Sequence, residues 1–243
     1  MSFNYDQITK GYYHEIYNKN NARSNWHKIK FQRVINEIKF DNNTHSGVLD
    51  YGCGPGTFLN LFNSNFKLGY DISEDQIDFA KQLVLDGQFT TKYSDLESYY
   101  RDISHITSCE LIEHLEYKQI IKFFDLIKKI VIKRSEKNLK TTVIITTPNY
   151  ISFWPILEIF VDIFSRQNYR AQHVSKFKIA SIKKIIKENF LLSEFNYDLK
   201  INSFQGFSWI NKKLSFTDKI FEKINFGNLI ICKINFNSFK NKF

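Results

Sequence analysis

Residues 108–115 read Ser-Cys-Glu-Leu-Ile-Glu-His-Leu and bring two carboxylates and an imidazole close together. If a helical turn begins there, Glu110 stands at i,i+3 to Glu113 and at i,i+4 to His114, so all three share one face. Acids beside an imidazole suit removal of a proton from a bound hydroxyl. His114, of a residue type with an ordinary pKa near about 6.5, is the preferred general base. His173, in Gln172-His173-Val174-Ser175-Lys176-Phe177, is the alternative. Two carboxylates and two imidazoles (Glu110, Glu113, His114, His173) also make a donor set for a magnesium- or manganese-type ion, which would lower a hydroxyl's pKa and position it. A divalent metal is not favoured, because Glu110 reads equally well as a residue that orients backbone beside a bound cofactor.

A second constellation lies at 47–58, Gly-Val-Leu-Asp-Tyr-Gly-Cys-Gly-Pro-Gly-Thr-Phe. Val48 and Leu49 end a short apolar run, Asp50 puts a carboxylate at its mouth, and Gly52, Gly54 and Gly56 follow at alternate positions. A buried strand that stops in such a loop forms a ligand crevice at the carboxyl end of a parallel sheet. A dinucleotide fingerprint would need a glycine at position 57, which is Thr57. Asp50 is also better suited to an ammonium group than to a pyrophosphate. Asp71 follows about twenty residues on, an offset that suits a carboxylate accepting hydrogen bonds from ribose hydroxyls.

The elements that must hold these groups alternate between strand and helix. Asn25–Ile38 has apolar residues at helical spacing. Thr57–Phe62 begins a helix after the loop, and Lys67–Asp71 is a second strand. Ser73 or Asp71 caps the helix that follows. Phe89–Tyr93 is a third strand, Ile103–Cys109 a fourth and Thr141–Thr147 a fifth, the last rich in β-branched residues as a buried parallel strand should be. Lys118–Ile132 and Ile179–Asn189 are amphipathic helices. Leu191–Phe204 and Asn228–Phe236 are strands separated by an insertion bearing Lys and Phe. This alternation gives an α/β, doubly wound sheet with a ligand at its switch point.

A chain of 243 residues suits one such domain. No apolar run reaches the roughly 18 residues of a spanning helix. The start, Met-Ser-Phe-Asn-Tyr-Asp, lacks the pattern of a signal peptide. Cys53, Cys109 and Cys232 have neither metal nor disulfide spacing; they fit a reducing cytoplasm and read most simply as small core residues. The net charge of +9 invites an acidic partner, but lysine pairs such as Lys128-Lys129, Lys183-Lys184 and Lys212-Lys213 are spread along the chain and read mainly as solvated faces.

Val-Leu-Asp-Tyr-Gly-Cys-Gly-Pro-Gly resembles the first motif of the class I S-adenosylmethionine-dependent methyltransferases. The resemblance implies a Rossmann-like seven-stranded sheet with helices on both faces, its last strand antiparallel and inserted between the fifth and sixth. It implies that Asp50, Tyr51, Gly52, Cys53, Gly54 and Gly56 hold the methionine part of S-adenosyl-L-methionine, that Asp71 and Ile72 meet the ribose side, and that Asp95, with Leu96 behind it, faces the adenine. Glu97 is close enough to compete with Asp95. Cys109 completes the expected cofactor set.

The Glu-Leu-Ile-Glu-His-Leu segment is similar to one shared by quinone-pathway O-methyltransferases and small-RNA 2′-O-methyltransferases. In the RNA group, two such acids and two histidines bind a divalent ion. Thr146-Thr147-Pro148-Asn149-Tyr150 resembles a turn that lines the acceptor pocket. Trp26, His27, Phe31 and Val34, with the Pro-Asn-Tyr-x-x-x-Trp-Pro and Gln-His-Val stretches, look like one bacterial subgroup. Residues 1–40 are then an N-terminal helical cover, with Tyr12 and Tyr13 over the cofactor, and 149–178 a lid on the substrate side. The apolar run 151–164 reads as that lid, as a patch resting on a membrane surface, or as an extra core helix.

The expected activity is O-methylation of a small or lipid-linked acceptor by a cytoplasmic enzyme, with peripheral contact to the inner face of the membrane allowed. An RNA methyltransferase using a divalent metal, or a cofactor-binding regulator without chemistry, are the alternatives, and nucleic acid is the less favoured partner.

Overall fold

The computed structural model describes residues 8–39, 46–61, 63–164 and 169–239. Its centre is a seven-stranded sheet: β1 (Gly47–Tyr51), β2 (Phe66–Tyr70), β3 (Gln88–Thr90), β4 (Ile103–Cys109), β5 (Thr141–Pro148), β6 (Phe195–Phe204) and β7 (Leu229–Phe239). The spatial order is β3-β2-β1-β4-β5-β7-β6. The first five strands pair in parallel, and β7 runs antiparallel between β5 and β6. The fold expected from the sequence is the one observed.

Side chains that alternate across the strands divide the core into two faces. Leu49, Ile106, Val143 and Ile145 meet α4 (Tyr117–Ser135) and α7 (Ile179–Asn189) through Phe123, Ile127, Ile182 and Ile186. On the other face, Ile144 and Ile231 meet Trp26 and Val34 of α2 (Ala22–Glu37), and Val48 meets Ile77 of α3 (Glu74–Leu83). Ser73 caps α3, its hydroxyl accepting from the Gln76 amide. The remaining helices are α1 (Tyr12–Asn18), α5 (Trp154–Phe164), α6 (Tyr169–Gln172) and α8 (Ser215–Lys223). No described helix is long and apolar enough to cross a membrane.

Three local expectations are corrected. The helix expected at Thr57–Phe62 is only a 3-10 turn at Leu59–Leu61, with Phe62 outside the described residues. The chain must return to β2 at once, and Ser64 fixes that turn by donating to the Ser46 and Phe66 carbonyls. The third strand stops at Thr90, whose hydroxyl accepts from the Lys92 amide, and Tyr93–Tyr99 forms a 3-10 segment. The sixth strand begins at Phe195 because Glu194 and Phe195 first donate back to the Leu191 carbonyl in a turn. Of the expected cover and lid, residues 1–7, 40 and 165–168 lie outside the described residues.

Candidate active site

The glycine loop is built where β1, β2 and β4 end. Gly52 and Cys53 both donate their amides to the Tyr70 carbonyl, which folds the loop back over β2. Gly52 has φ +82°, and a Cβ there would lie 2.6 Å from the Leu111 side chain, so both conformation and space demand glycine. Gly54, at φ +50°, would present a Cβ to open space instead. That leaves its backbone accessible to a ligand.

Two acids frame this loop. Asp71 accepts from the Gly54 amide at 2.9 Å through Oδ2 and from the Ser73 amide at 3.0 Å through Oδ1, tying the two loops together. Burial raises its pKa, against the lowering effect of the amides it accepts. Asp50 is buried and accepts from the Thr107 hydroxyl at 2.8 Å. Burial pushes it up to about 7, and it makes no ion pair among the described residues. Ile72 stands 66% exposed beside Asp71. Glu97 is drawn to α4 by Lys129 and Lys133, whereas Asp95 accepts from the hydroxyl of its neighbour Ser94. Leu96 is fully buried beneath it. The Cys53 and Cys109 thiols are raised by burial and stay neutral.

Helix α1 lies across the loop. Gln76 accepts from the Gly11 amide and donates to the Ile8 and Thr9 carbonyls, while His14 Nδ1 sits 3.2 Å from the Thr57 hydroxyl. The Tyr13 phenol is raised by burial, against the lowering effect of the Arg23 guanidinium. Tyr12 instead packs edge-on against Tyr13 and accepts from Arg23.

The expected grouping of Glu110 with Glu113 and His114 is not what forms. After β4 the chain makes a 3-10 turn at Ile112–His114, and Glu110 adopts a left-handed φ of +51°. Its carboxylate turns to α2, where Trp26 Nε1 donates to Oε1 at 3.2 Å and Lys30 Nζ donates to Oε2. Burial would raise Glu110, but Lys30 and Trp26 outweigh it and hold the acid at about 2. Lys30 is 3% exposed and also lies 3.2 Å from His27 Nδ1. Nothing at the spacing of 108–115 could announce a lysine eighty residues away.

Glu113, His114 and His173 do converge: each offers one ligand atom, and these lie within 4.8 Å of one another. Thr147 donates to Glu113 Oε2, and Oε1 has no hydrogen-bond partner among the described residues. Burial pushes Glu113 up to about 7. His114 Nδ1 is 3.1 Å from the Gln172 carbonyl, so it carries the proton and the neutral ring keeps its lone pair on Nε2. Burial, with His173 adding to it, lowers His114 to about 3.

His173 is oriented from behind. Its Nδ1 is 2.5 Å from Glu158 Oε1, and the Tyr150 hydroxyl donates to the same oxygen at 2.9 Å. Burial lowers His173, yet Glu158 and Glu113 reverse that and raise it. Glu158 escaped the sequence reading, although an acid inside the apolar run 151–164 was a usable signal, since a buried acid needs a partner. On the same helix Trp154 packs on Trp26 and His173.

A doubly wound sheet with β7 reversed between β5 and β6, and an acid and a glycine loop at the tip of β1, defines the class I methyltransferase fold. The chain belongs to the methyltransferase-domain family, whose model matches residues 25–189. No curated protein sequence matches it. Among solved structures, a SAM-dependent methyltransferase from Archaeoglobus fulgidus is 20% identical, with 87% of this chain and 93% of that one aligned at a TM-score of 0.54. Magnesium protoporphyrin IX methyltransferase from Synechocystis, solved with bound SAH, is 17% identical over 93% of both chains, with a TM-score of 0.54. The plantazolicin methyltransferase BpumL, also in complex with SAH, is 14% identical over 93% of this chain and 88% of its own, with a TM-score of 0.56. At these identities the similarity is one of fold.

Proposed function

We propose that this chain is an S-adenosylmethionine-dependent methyltransferase that methylates a hydroxyl oxygen of a small or lipid-linked acceptor. Its single domain would carry α1 and α2 as a cofactor cover and 149–178 as an acceptor-side lid. The observation that carries the reading is the pairing of two sites across one residue. Leu111 packs on Gly52 of the cofactor loop, and three residues later His114 joins Glu113 and His173.

The residues fit the cofactor. A buried Asp50 lacking an ion pair suits an ammonium group, Asp71 suits a ribose diol, and the open side of Gly54 admits a ligand against backbone. Tyr51, Cys53 and Gly56 shape the loop, Ile72 offers apolar surface, and Asp95 suits an exocyclic amine. When bound, the cofactor supplies an electrophilic methyl group on a sulfonium, so the protein needs to align the acceptor and remove its proton. His114 Nε2 is the assigned acceptor of that proton as the carbon–oxygen bond forms; burial and His173 hold the free imidazole at about 3, so it is a weak base that depends on close alignment with the bound acceptor. Glu158 holds His173 in place beside it.

Cofactor binding tests the first half. Asp71→Ala removes two amide acceptors and the ribose partner, and calorimetry should show affinity about 10- to 100-fold weaker, as loss of hydrogen bonds to a charged group implies. Unchanged affinity would remove Asp71 from the site.

The pH dependence has a definite sign. Asp50 is raised above its ordinary value of 3.8, so its favourable contribution to folding is present when protonated and is lost as pH rises through about 7. Binding an ammonium group needs the carboxylate. Affinity should therefore rise about tenfold per pH unit up to about pH 7, then level until the cofactor's own amine titrates near about 8. Asp50→Asn should abolish the rising limb.

A second reading has its own observation. Glu113, His114 and His173 could hold a divalent ion, their imidazoles oriented through Nδ1 as metal ligands usually are. Glu110 would not be a ligand, since Lys30 holds it. An RNA acceptor is compatible with such a site and with the net charge. Manganese binding by calorimetry, and loss of turnover on chelation with recovery on adding the ion, would favour this reading; turnover indifferent to chelator would end it.

A further inference from the structure

Helix α8 lies in the stretch between β6 and β7, and its charges are sorted by side. Asp218 accepts from the Gly206 amide at 2.7 Å, and Glu222 pairs with Arg33 at 2.6 Å, so both acids are turned to the protein. The outward stripe is Phe216, Lys219, Ile220, Lys223 and Ile224, at helical spacing, with Phe216, Ile220 and Ile224 each at least half exposed. Lys212 and Lys213 stand exposed at the preceding turn. None of these four lysines makes an ion pair among the described residues.

Helix α5 adds an outward stripe that is purely apolar. Trp154 and Glu158 face inward, and Asp162 accepts from the Arg170 amide, while Ile156, Ile159, Phe160 and Ile163 form an exposed stripe. The start of α5 is tied to α8 by aromatic packing: Phe153, just before α5, meets Phe207, Phe221 of α8 and Phe226, with ring centroids 5.5, 5.8 and 5.3 Å apart.

We propose that the outward stripes of α5 and α8 form a docking face for an anionic lipid bilayer. On α8, exposed isoleucines and a phenylalanine interleaved with lysines are the composition of an interfacial helix, and α5 adds apolar side chains without a lysine: the apolar groups enter the acyl boundary and the ammonium groups of α8 stay among the headgroups. A second copy of the chain is a poorer occupant, because it would bring the same lysines and no outward acid of α5 or α8 to meet them. Neither helix spans a membrane, so the contact is peripheral. The docking goes beyond the methyl-transfer reading and stands independently of it. It also gives that reading a geometry. The inner face of α5 carries Glu158 onto His173, so the acceptor cluster would lie about one helix diameter, roughly 10 Å, from the bilayer.

Co-sedimentation of the full chain with vesicles tests this. Protein should partition onto phosphatidylcholine vesicles containing about 30% phosphatidylglycerol, and on the order of tenfold less onto pure phosphatidylcholine or in 1 M salt. Ile220→Ser/Ile224→Ser, Ile159→Ser/Ile163→Ser and Lys219→Ser/Lys223→Ser should each weaken partition about tenfold, while Lys219→Arg/Lys223→Arg retains it. All these side chains are exposed, so unchanged circular dichroism and unchanged cofactor affinity would separate lost docking from lost folding or lost catalysis. The proposal is overturned if folded protein ignores anionic vesicles, or if partition is indifferent to these substitutions. It is equally overturned if light scattering shows a dimer that Ile220→Ser/Ile224→Ser converts to monomer.

Discussion

Replacing Lys30 with methionine is expected to destabilise the folded chain by about 3–5 kcal/mol, the usual cost of removing one partner from a buried ion pair. Lys30 and Glu110 are both almost out of water, at 4% and 15% side-chain exposure. Methionine keeps the apolar stem in place, but it leaves Glu110 with Trp26 as its remaining side-chain donor. The pair also fixes backbone, since Glu110 holds a left-handed φ that a non-glycine residue adopts only when its surroundings insist. Urea unfolding at pH 7 should show the loss, and Lys30→Met/Glu110→Gln should recover most of it, because the glutamine oxygen still accepts from Trp26. The pH sign follows from Glu110. Its acidity in the fold, at about 2, lies below the ordinary 4.5, so its contribution is present above about 4.5 and lost as pH falls toward 2. In Lys30→Met this acid-side loss should disappear. An unfolding midpoint unmoved by the single change would show that the pair does not hold α2 to the sheet.

His114→Ala is expected to lower kcat about 10²- to 10⁴-fold, the range general-base catalysis supplies. Cofactor affinity should stay near wild type, because the imidazole sits on the acceptor side of Leu111. Formation of S-adenosylhomocysteine with cell extract as the acceptor source is the readout. Glu158→Gln removes the carboxylate that raises His173 and serves as its positioning test. Its kcat should fall less than in His114→Ala, and the pH profile should shift as the protonated form of His173 loses support. A His114→Ala enzyme that turns over normally would remove the base from the proposal, whatever the fate of the cofactor site.

Much of β1 and the loop after it was legible in the sequence because it is local. Val48 and Leu49 had to be a buried strand, and Asp50, Gly52 and Gly54 had to follow it into a loop. Asp71 could be placed because one turn of βα structure separates it from that loop, and βα units have nearly fixed lengths. The fifth strand announced itself by Val143, Ile144 and Ile145. Boundaries were less legible where polar side chains compete for backbone, as Ser64 and Thr90 do.

The acid–histidine cluster after β4 was only half legible. Glu113, His114 and His173 were found by residue type, but the i,i+3 and i,i+4 arithmetic assumed a helical turn that the chain does not make. A left-handed Glu110 followed by a 3-10 turn sends its carboxylate to α2 and leaves Glu113 and His114 to His173. Residue order by itself therefore determined the fold, the loop after β1 and the kinds of group available, because periodicity and short spacings act along the chain. Only the tertiary structure decided which groups share charge. Lys30 with Glu110, Glu158 with His173, and the sorting of acids and lysines on opposite sides of α8 are contacts between distant segments, set by burial and desolvation rather than by position in the chain.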